Sequence, residues 1–415
     1  MNKTFLNLKS IHTIWRMATI SILLHIAPAS IWGQTSNGEQ ATKELADHGF
    51  ENVRWVETAN ELIYTIENNM YKAQGVGIAK AIDIIQKNGL PNDKKCKVIV
   101  TYLDVPELSL TYEPQETTDT IGERRNWSTS YELGDSWKNV RKEKKKNNSR
   151  FKVDILVYPQ VSLRNLVITQ IYHVLLTLNP TIEVSLWKGM KLSGQLIVPI
   201  YNDGYSEANN WVKPYFITLS QKFRLPFNIK GKGVVGIFSN NRYGIDLNLF
   251  RPFSFDERFS LEGRIGITAL QYWDKFNWHY TTMSYKTTWT IGANFYWPQY
   301  NTEFSLKAEE YMLGERGIKF EMTRNFRYAS VCFYAQKAQY AKSNGGFRFQ
   351  ILLPPYKQKR HKYIPRISTS YNMGIAYNAG NEQYYYKQYR SEASENIMNE
   401  NSFNPYFIKS ELSIY

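Results

Sequence analysis

The sequence predicts a mainly β fold, in which a transmembrane antiparallel β-barrel of about 14 strands, with roughly 12–16 possible, follows a small α/β module. Three observations indicate this fold class. Apolar and polar residues alternate repeatedly from residue 151 onward, and aromatic residues make up 15% of the chain. After Gln34 the sequence contains no apolar segment long enough for a membrane-spanning helix. A membrane role must therefore use strands.

The composition indicates the kind of surroundings that the protein prefers. The chain has 51 Lys and Arg against 37 Asp and Glu, a formal charge of +14, which favours anionic neighbours such as lipopolysaccharide phosphates, an acidic glycan or nucleic acid. The 30 Tyr, 21 Phe and 11 Trp are typical of the two aromatic girdles of an outer-membrane barrel. We therefore predict outer-membrane lipid and lipopolysaccharide as partners, and no nucleic acid.

The N-terminus has the pattern of a secretory signal peptide over residues 1–33. Basic residues precede an apolar run at 17–32, and the small Gly33 stands before Gln34. The run is short for a membrane span, so cleavage near Gly33 is favoured over a membrane anchor. This export signal and the strand pattern together predict the cell outer membrane as the location.

Residues 44–112 are predicted to form a small module with the order β-β-α-β-β. Short β-prone runs at 53–56 and 62–66 suggest a hairpin, and residues 96–102 and 108–112 supply two more strands. Apolar residues recur at helical spacing over 73–88, ahead of a Gly and a Pro that end the helix. We expect this module to lie in the periplasm.

Residues 113–150 are polar and are predicted to form a linker or a long loop. The segment ends in a basic cluster made of Lys138, Arg141, Lys142, Lys144, Lys145, Lys146 and Arg150. A charge run of this kind is most often solvated and disordered. The alternative is contact with anionic lipid or polymer at the membrane surface.

Residues 151–415 are predicted to form the barrel, because apolar and polar residues alternate with a period of two. If the apolar residues face lipid, basic residues face the lumen and could engage a polar or anionic glycan. These candidate glycan-facing residues are Lys191, Lys222, Arg224, Arg264, Lys319 and Arg348. The acids that share their face in the sequence pattern are fewer, namely Asp246, Glu262 and Glu321, so the lining is predicted to be net positive. The alternative is that these charges pair across the lumen and stiffen the barrel.

A soluble β-sandwich would also show alternating strands, but the positions of the aromatic residues favour the barrel. Tyr272, Trp273 and Trp297 stand where strands are predicted to end, as expected for residues at a membrane interface. The apolar parity through Ile408 and Leu412 predicts a final strand near the C-terminus.

Five short segments of the chain carry a resemblance to a known family: GFENVR at 49–54, LIYTIEN at 62–68, RFSL at 258–261, NGGFRF at 344–349 and LLPP at 352–355. They resemble segments of the YbjH-like outer-membrane proteins of exopolysaccharide and capsule biosynthesis and export loci. Typical members are longer and often carry a lipid-anchor cysteine, so the resemblance implies a smaller barrel here. It also implies a part in polysaccharide export or assembly, with a polysaccharide and periplasmic export-machinery proteins as partners.

Catalytic and metal-binding patterns are missing from the sequence. The two cysteines and six histidines have no metal-ligand spacing, and no serine-hydrolase elbow occurs. We therefore expect no cofactor, no metal and no enzymatic activity. Three functions remain open: a component of exopolysaccharide or capsule export, a generic porin or structural barrel, and, less favoured, a barrel hydrolase with residues assembled from separate strands.

Overall fold

A computed structural model describes residues 37–113, 126–166, 170–282, 285–379 and 384–412. The predicted signal peptide, part of the predicted linker and the last three residues lie outside these ranges. Within them the chain forms two sheets, a small one near the N-terminus and a large one that follows it. The predicted mainly β fold, with an α/β module ahead of a large antiparallel sheet, is confirmed.

The small sheet and its helices form the N-terminal module. Its helices are α1 (Asn37–His48), α2 (Gln74–Lys87) and α3 (Ser136–Val140), and its strands are β1 (Glu51–Glu57), β2 (Glu61–Glu67), β3 (Lys95–Tyr102), β4 (Val105–Tyr112) and β5 (Ser128–Ser130), hydrogen-bonded in that order. β2 and β3 are parallel because α2 connects them, whereas the other pairs are antiparallel. The face of α2 with Ile78, Ile82 and Ile85 is fully buried, which explains the helical spacing of these residues.

The module extends beyond the predicted residues 44–112, so the interpretation of residues 126–150 as a linker or long loop is wrong. The basic residues Arg141, Lys142, Lys144 and Arg150 are nevertheless exposed to solvent, as expected. α1 begins before residue 44, β5 extends the sheet at β4, and α3 packs on β1 and β2. Trp127 and Val140 are fully buried. A few large apolar side chains therefore dock this segment on the module, although its average composition is polar.

The large sheet contains the remaining strands of the described chain. Their bounds are β6 (Val153–Leu166), β7 (Gln170–Ser185), β8 (Met190–Asp203), β9 (Lys213–Arg224), β10 (Lys230–Phe238), β11 (Arg242–Pro252), β12 (Phe259–Asp274), β13 (Asn277–Tyr280), β14 (Lys286–Trp297), β15 (Thr302–Glu310), β16 (Arg316–Asn325), β17 (Ala329–Ala338), β18 (Asn344–Ile351), β19 (Arg366–Thr369) and β20 (Gly374–Asn378). β6 to β12 and β14 to β18 pair in sequence order as antiparallel neighbours, while β13 is a short hairpin partner of β12.

One kinked segment of chain joins the two edges of this sheet. β19 pairs in parallel with the first strand, β6, and β20 pairs antiparallel with the last long strand, β18. Only residues 370–373 separate β19 from β20. Through this short connection Ser370 N donates to Val157 O at 3.2 Å and Ile351 N donates to Met373 O at 3.0 Å. The sheet therefore returns to its own beginning, as in a barrel.

The barrel has its apolar side chains outside and its polar side chains inside. On β8, Leu192 is 42% exposed whereas its neighbours Lys191 and Ser193 are only 5% and 2% exposed. On β11, Ile245 is 60% exposed and the adjacent Asp246 is fully buried. The predicted alternation, with apolar residues facing outward, is confirmed at these positions. The described helices include none long and apolar enough to cross a bilayer.

The C-terminal part of the described chain contains two helices, α4 (Ile397–Asn401) and α5 (Pro405–Leu412), so the predicted final strand is wrong over residues 405–412. The side chain of Asn404 accepts hydrogen bonds from Tyr406 N and Phe407 N, which is how an N-cap residue starts a helix. Ile408 and Leu412 then share one helical face, and both are buried in the core of the N-terminal module.

Candidate functional site

The N-terminal module covers one end of the barrel. Gly189, in the turn after β7, donates its N–H to Leu103 O of the module at 2.7 Å. Gln358, which follows β18, donates its N–H to Met70 O at 2.9 Å. On the opposite part of the barrel wall, between β11 and β12, the carboxylate of Glu257 accepts a hydrogen bond from Tyr131 N of the module at 2.8 Å. The module therefore lies across the barrel mouth. We call this end the module end and the other the distal end.

The C-terminal segment runs through the lumen from the distal end to the module end. We call residues 384–412 the plug segment. At the distal end Met312 N donates to Lys387 O at 3.0 Å. Further along, Ile397 N donates to the side-chain oxygen of Gln350 at 3.0 Å, and Thr129 of the module donates its hydroxyl to Pro405 O at 2.8 Å. The lumen is therefore occupied by the protein's own chain.

Two of the predicted basic residues bind acids of the plug segment as well as acids of the wall. Lys191 Nζ lies 3.1 Å from a carboxylate oxygen of Glu183 on β7 and 3.5 Å from one of Glu392 in the plug segment. Arg264 lies 2.8 Å from Asp246 on β11 and 3.3 Å from Glu395 in the plug segment. These ion pairs fasten the plug segment to the wall.

Two further predicted residues, Lys222 and Arg224, bind the N-terminal module. Lys222 Nζ lies 2.5 Å from the carboxylate of Glu107 on β4, and Lys230 Nζ lies 3.2 Å from the other oxygen of the same group. The guanidinium of Arg224 donates to the carbonyl oxygens of Pro106, Glu107 and Tyr131. Burial alone would raise the pKa of Glu107, but the two neighbouring ammonium groups hold it below its ordinary value.

The last two predicted residues, Lys319 and Arg348, share one carboxylate on the barrel wall. Glu321 lies 2.9 Å from Lys319 and 3.2 Å from Lys307, and it also accepts a hydrogen bond from Arg348. The side chain of Glu321 is only 9% exposed, so three cations share one nearly buried anion. Lys307 also lies 2.6 Å from a second carboxylate, that of Glu262. This arrangement binds strands β15, β16 and β18 to one another.

All six predicted residues therefore point into the barrel, and each has an acidic or carbonyl partner there. The sequence pattern did not reveal most of these partners, because Glu107 belongs to the module and Glu392 and Glu395 belong to the plug segment. Their presence contradicts a simple net-positive lining. The contacts favour the alternative interpretation, in which these charges pair across the lumen.

A cavity of about 670 Å³ remains between the wall, the plug segment and the module. Some of the polar side-chain groups that line it have no hydrogen-bond or salt-bridge partner in the described residues. Asn294 Oδ1 and Asn396 Nδ2 are buried without a hydrogen-bond partner in the described residues. Glu303 and Glu400 also line the cavity, and neither forms a salt bridge with another described residue. The volume lies within the range of about 300–1,000 Å³ typical of small-molecule sites.

The cavity offers binding chemistry, and the described residues provide no metal centre. Among them, no group of three or more His, Cys, Asp or Glu side chains could hold a metal ion. The free amide oxygen can accept a hydrogen bond and the free amide nitrogen can donate one. A ligand rich in hydroxyl groups would satisfy both kinds of group.

Comparisons with known proteins give matches to porins among the solved structures. No family model and no curated protein matches the chain. Among solved structures, a variant of the porin of Rh. blastica is 11% identical, with a TM-score of 0.28, and the match covers 49% of this chain and 90% of the porin. A triple variant of the Rhodopseudomonas blastica porin is also 11% identical, with a TM-score of 0.26, covering 49% of this chain and 89% of the porin.

Proposed function

We propose that this protein is a non-enzymatic β-barrel of the cell outer membrane that takes part in the export or assembly of exopolysaccharide or capsule. The observation that carries the proposal is the polar cavity beside the plug segment inside the lumen. A lumen filled in this way suits a gated component for a specific polymer better than a generic, permanently open porin. The sequence resemblance to YbjH-like proteins supports the same function.

The outer surface of the barrel supports a position in a membrane. Exposed apolar residues such as Ile200, Ile291 and Ile318 face outward from strands on different sides of the barrel. Exposed aromatic residues lie near both ends, as in the interfacial girdles of outer-membrane barrels. Those near the module end are Trp187, Phe227, Phe255, Trp297, Tyr300 and Phe326; those near the distal end are Tyr201, Trp211, Tyr272, Trp278, Tyr285, Tyr340 and Tyr377.

The lengths of the hairpin connections support a periplasmic position for the N-terminal module. At the module end, the turns 186–189, 298–301 and 326–328 are short. The longest hairpin connections, 204–212 and 275–285, lie at the distal end. Outer-membrane barrels have short periplasmic turns and longer extracellular loops. The module would then face the periplasmic export machinery, and the distal end would face the outside.

We expect the protein to sediment with outer membranes and to migrate faster on a gel when it is not boiled. A barrel whose edges are joined by β19 and β20 has no free edge strand from which detergent could begin to unravel it. The measurement is membrane fractionation followed by electrophoresis of boiled and unboiled samples. Recovery in the soluble periplasmic fraction would contradict the proposed location.

We expect the double variant Asn294→Ala/Asn396→Ser to reduce the amount of surface polysaccharide in the native host while the barrel still assembles. The two changes remove the free amide groups of the cavity and leave the lumen's ion pairs intact. Serine at 396 keeps a side-chain oxygen that can cap α4, as Asn396 does through Asn399 N. The readout is surface polysaccharide per heat-modifiable barrel.

The control for this experiment is Glu113→Gln, which alters a salt bridge between two exposed side chains, Glu113 and Lys95, and leaves the cavity lining unchanged. Its polysaccharide level should equal that of the unmodified protein. Normal polysaccharide in the double variant would reject a role for the cavity, and a barrel that conducts small solutes freely would support the generic porin instead.

A further inference from the structure

Five exposed basic side chains surround the turn between β7 and β8 at the module end. Arg141, Lys142, Lys144, Arg150 and Lys188 form this basic patch. Within the described residues, none of the five forms a salt bridge. Four of the five belong to the basic cluster that the sequence shows over residues 138–150, and Lys188 comes from the β7–β8 turn of the barrel.

Contacts between the module and the turn hold the patch together. Lys188 Nζ lies 5.1 Å from the centre of the Trp137 ring, which belongs to α3. Phe151 N donates to Ser185 O at 2.7 Å, so Arg150 and Phe151 lie next to the end of β7. These two contacts bring the three parts of the patch, residues 141–144, Arg150 and Lys188, to one side of the barrel mouth.

One acid, Glu143, stands within the patch between Lys142 and Lys144, so the patch keeps a surplus of basic groups. A second acid nearby, Asp104, is already used by other cations. Asp104 lies 2.6 Å from Arg54 and 2.5 Å from Lys145, so one carboxylate serves two basic groups. Desolvation and the positive charges of Arg54, Arg141 and Lys145 lower the pKa of Lys188, although Asp104 opposes this effect. An additional anion would therefore be bound favourably at this place.

The neighbouring aromatic residues indicate which anion is available. Trp187 is 53% exposed and Phe151 is 66% exposed, and both lie beside the patch at the end of the barrel wall. Large aromatic side chains at such positions insert at the level of lipid headgroups. The basic groups beside them are then within reach of headgroup phosphates, which attract Lys and Arg at a membrane surface.

We propose that the basic patch binds the phosphate groups of anionic phospholipids in the membrane leaflet next to the N-terminal module. This inference rests on the proposed position of the barrel in the outer membrane. The bound lipids would hold the module against the membrane plane and fix it over the barrel mouth. They would act through charge at the patch and through the apolar contacts of Phe151 and Trp187.

The test uses the full-length mature protein, purified in detergent and mixed with phosphatidylglycerol or phosphatidylcholine. Native mass spectrometry counts the lipids that stay bound to each barrel. We expect phosphatidylglycerol to be retained about tenfold more than phosphatidylcholine. In the triple variant Arg141→Gln/Lys142→Gln/Lys188→Gln this preference should be lost.

A matched control removes the same charge from another exposed part of the module. The triple variant Lys43→Gln/Lys87→Gln/Lys95→Gln should retain the preference of the unmodified protein. An unchanged preference in the patch variant, or equal binding of inorganic phosphate and phosphatidylglycerol to the unmodified protein, would overturn the inference. If the unmodified protein lacks the fast-migrating form and is recovered as a soluble protein, the proposed location fails, and the lipid site fails with it.

Discussion

Deleting residues 391–412 is expected to turn a closed barrel into a conducting pore. The deletion removes the part of the plug segment that crosses the lumen, including Glu392 and Glu395, which bind the wall through Lys191 and Arg264. The distal part of the plug segment, with Lys387 bound to Met312, stays in place. A polar lumen that is no longer filled should admit water and ions. The measurement is single-channel conductance in a planar bilayer, with an increase of about tenfold or more over the intact protein.

A second deletion distinguishes the effect of removing the lumen-crossing residues from the effect of removing α5. Removing residues 402–412 takes away α5 and leaves residues 391–401 in the lumen. This shorter deletion should stay closed, because the ion pairs of Glu392 and Glu395 remain. Two results would contradict the interpretation that residues 391–401 block the lumen. One is high conductance of the intact protein. The other is a barrel that does not conduct after the longer deletion, although the unboiled sample still shows the fast-migrating form.

Glu321→Gln is expected to lower the stability of the barrel by roughly 3–5 kcal/mol, because it removes the anion shared by three cations in a nearly buried group of charges. Lys307, Lys319 and Arg348 would all lose a carboxylate partner at once. Glutamine has nearly the same shape, so the effect reports the charge and not the packing. The measurement is the urea concentration at which the fast-migrating form disappears.

Glu113→Gln provides the matched comparison at a surface ion pair. Glu113 and its partner Lys95 are 61% and 51% exposed, and such surface pairs contribute only about 0–1 kcal/mol. The urea midpoint of this variant should stay close to that of the unmodified protein. Equal midpoints for Glu113→Gln and Glu321→Gln would show that the shared carboxylate does not stabilise the barrel.

Strand alternation could be predicted from the sequence because it depends on neighbouring residues alone. Once a strand is recognised, the side on which a residue lies follows from its parity, and Lys191 and Arg264 were placed correctly inside the barrel for this reason. Their partners could not be predicted in the same way. Glu392 and Glu395 reach the lumen only because a distant segment enters it, and no local pattern marks that path.

The C-terminal helix shows a different limit of sequence patterns. Ile408 and Leu412 are four residues apart, a spacing that suits one side of a strand as well as one face of a helix. The sequence signals that favour the helix are Asn404 at the cap and Pro405 at the first turn. Docking on the module, which buries Ile408 and Leu412, stabilises the helical alternative.

Because α5 packs on the N-terminal module, the two ends of the described chain fold together. Gly75 at the start of α2 lies against Glu411 near the end of α5, although the whole barrel separates these two residues along the sequence. The module can complete its hydrophobic core only after β20 has joined the sheet edges and the following residues have crossed the lumen. A chain that stops before α5 would leave this core unfinished, with apolar surface open to periplasmic proteases. Contacts over such a sequence distance also make the final step of folding slow.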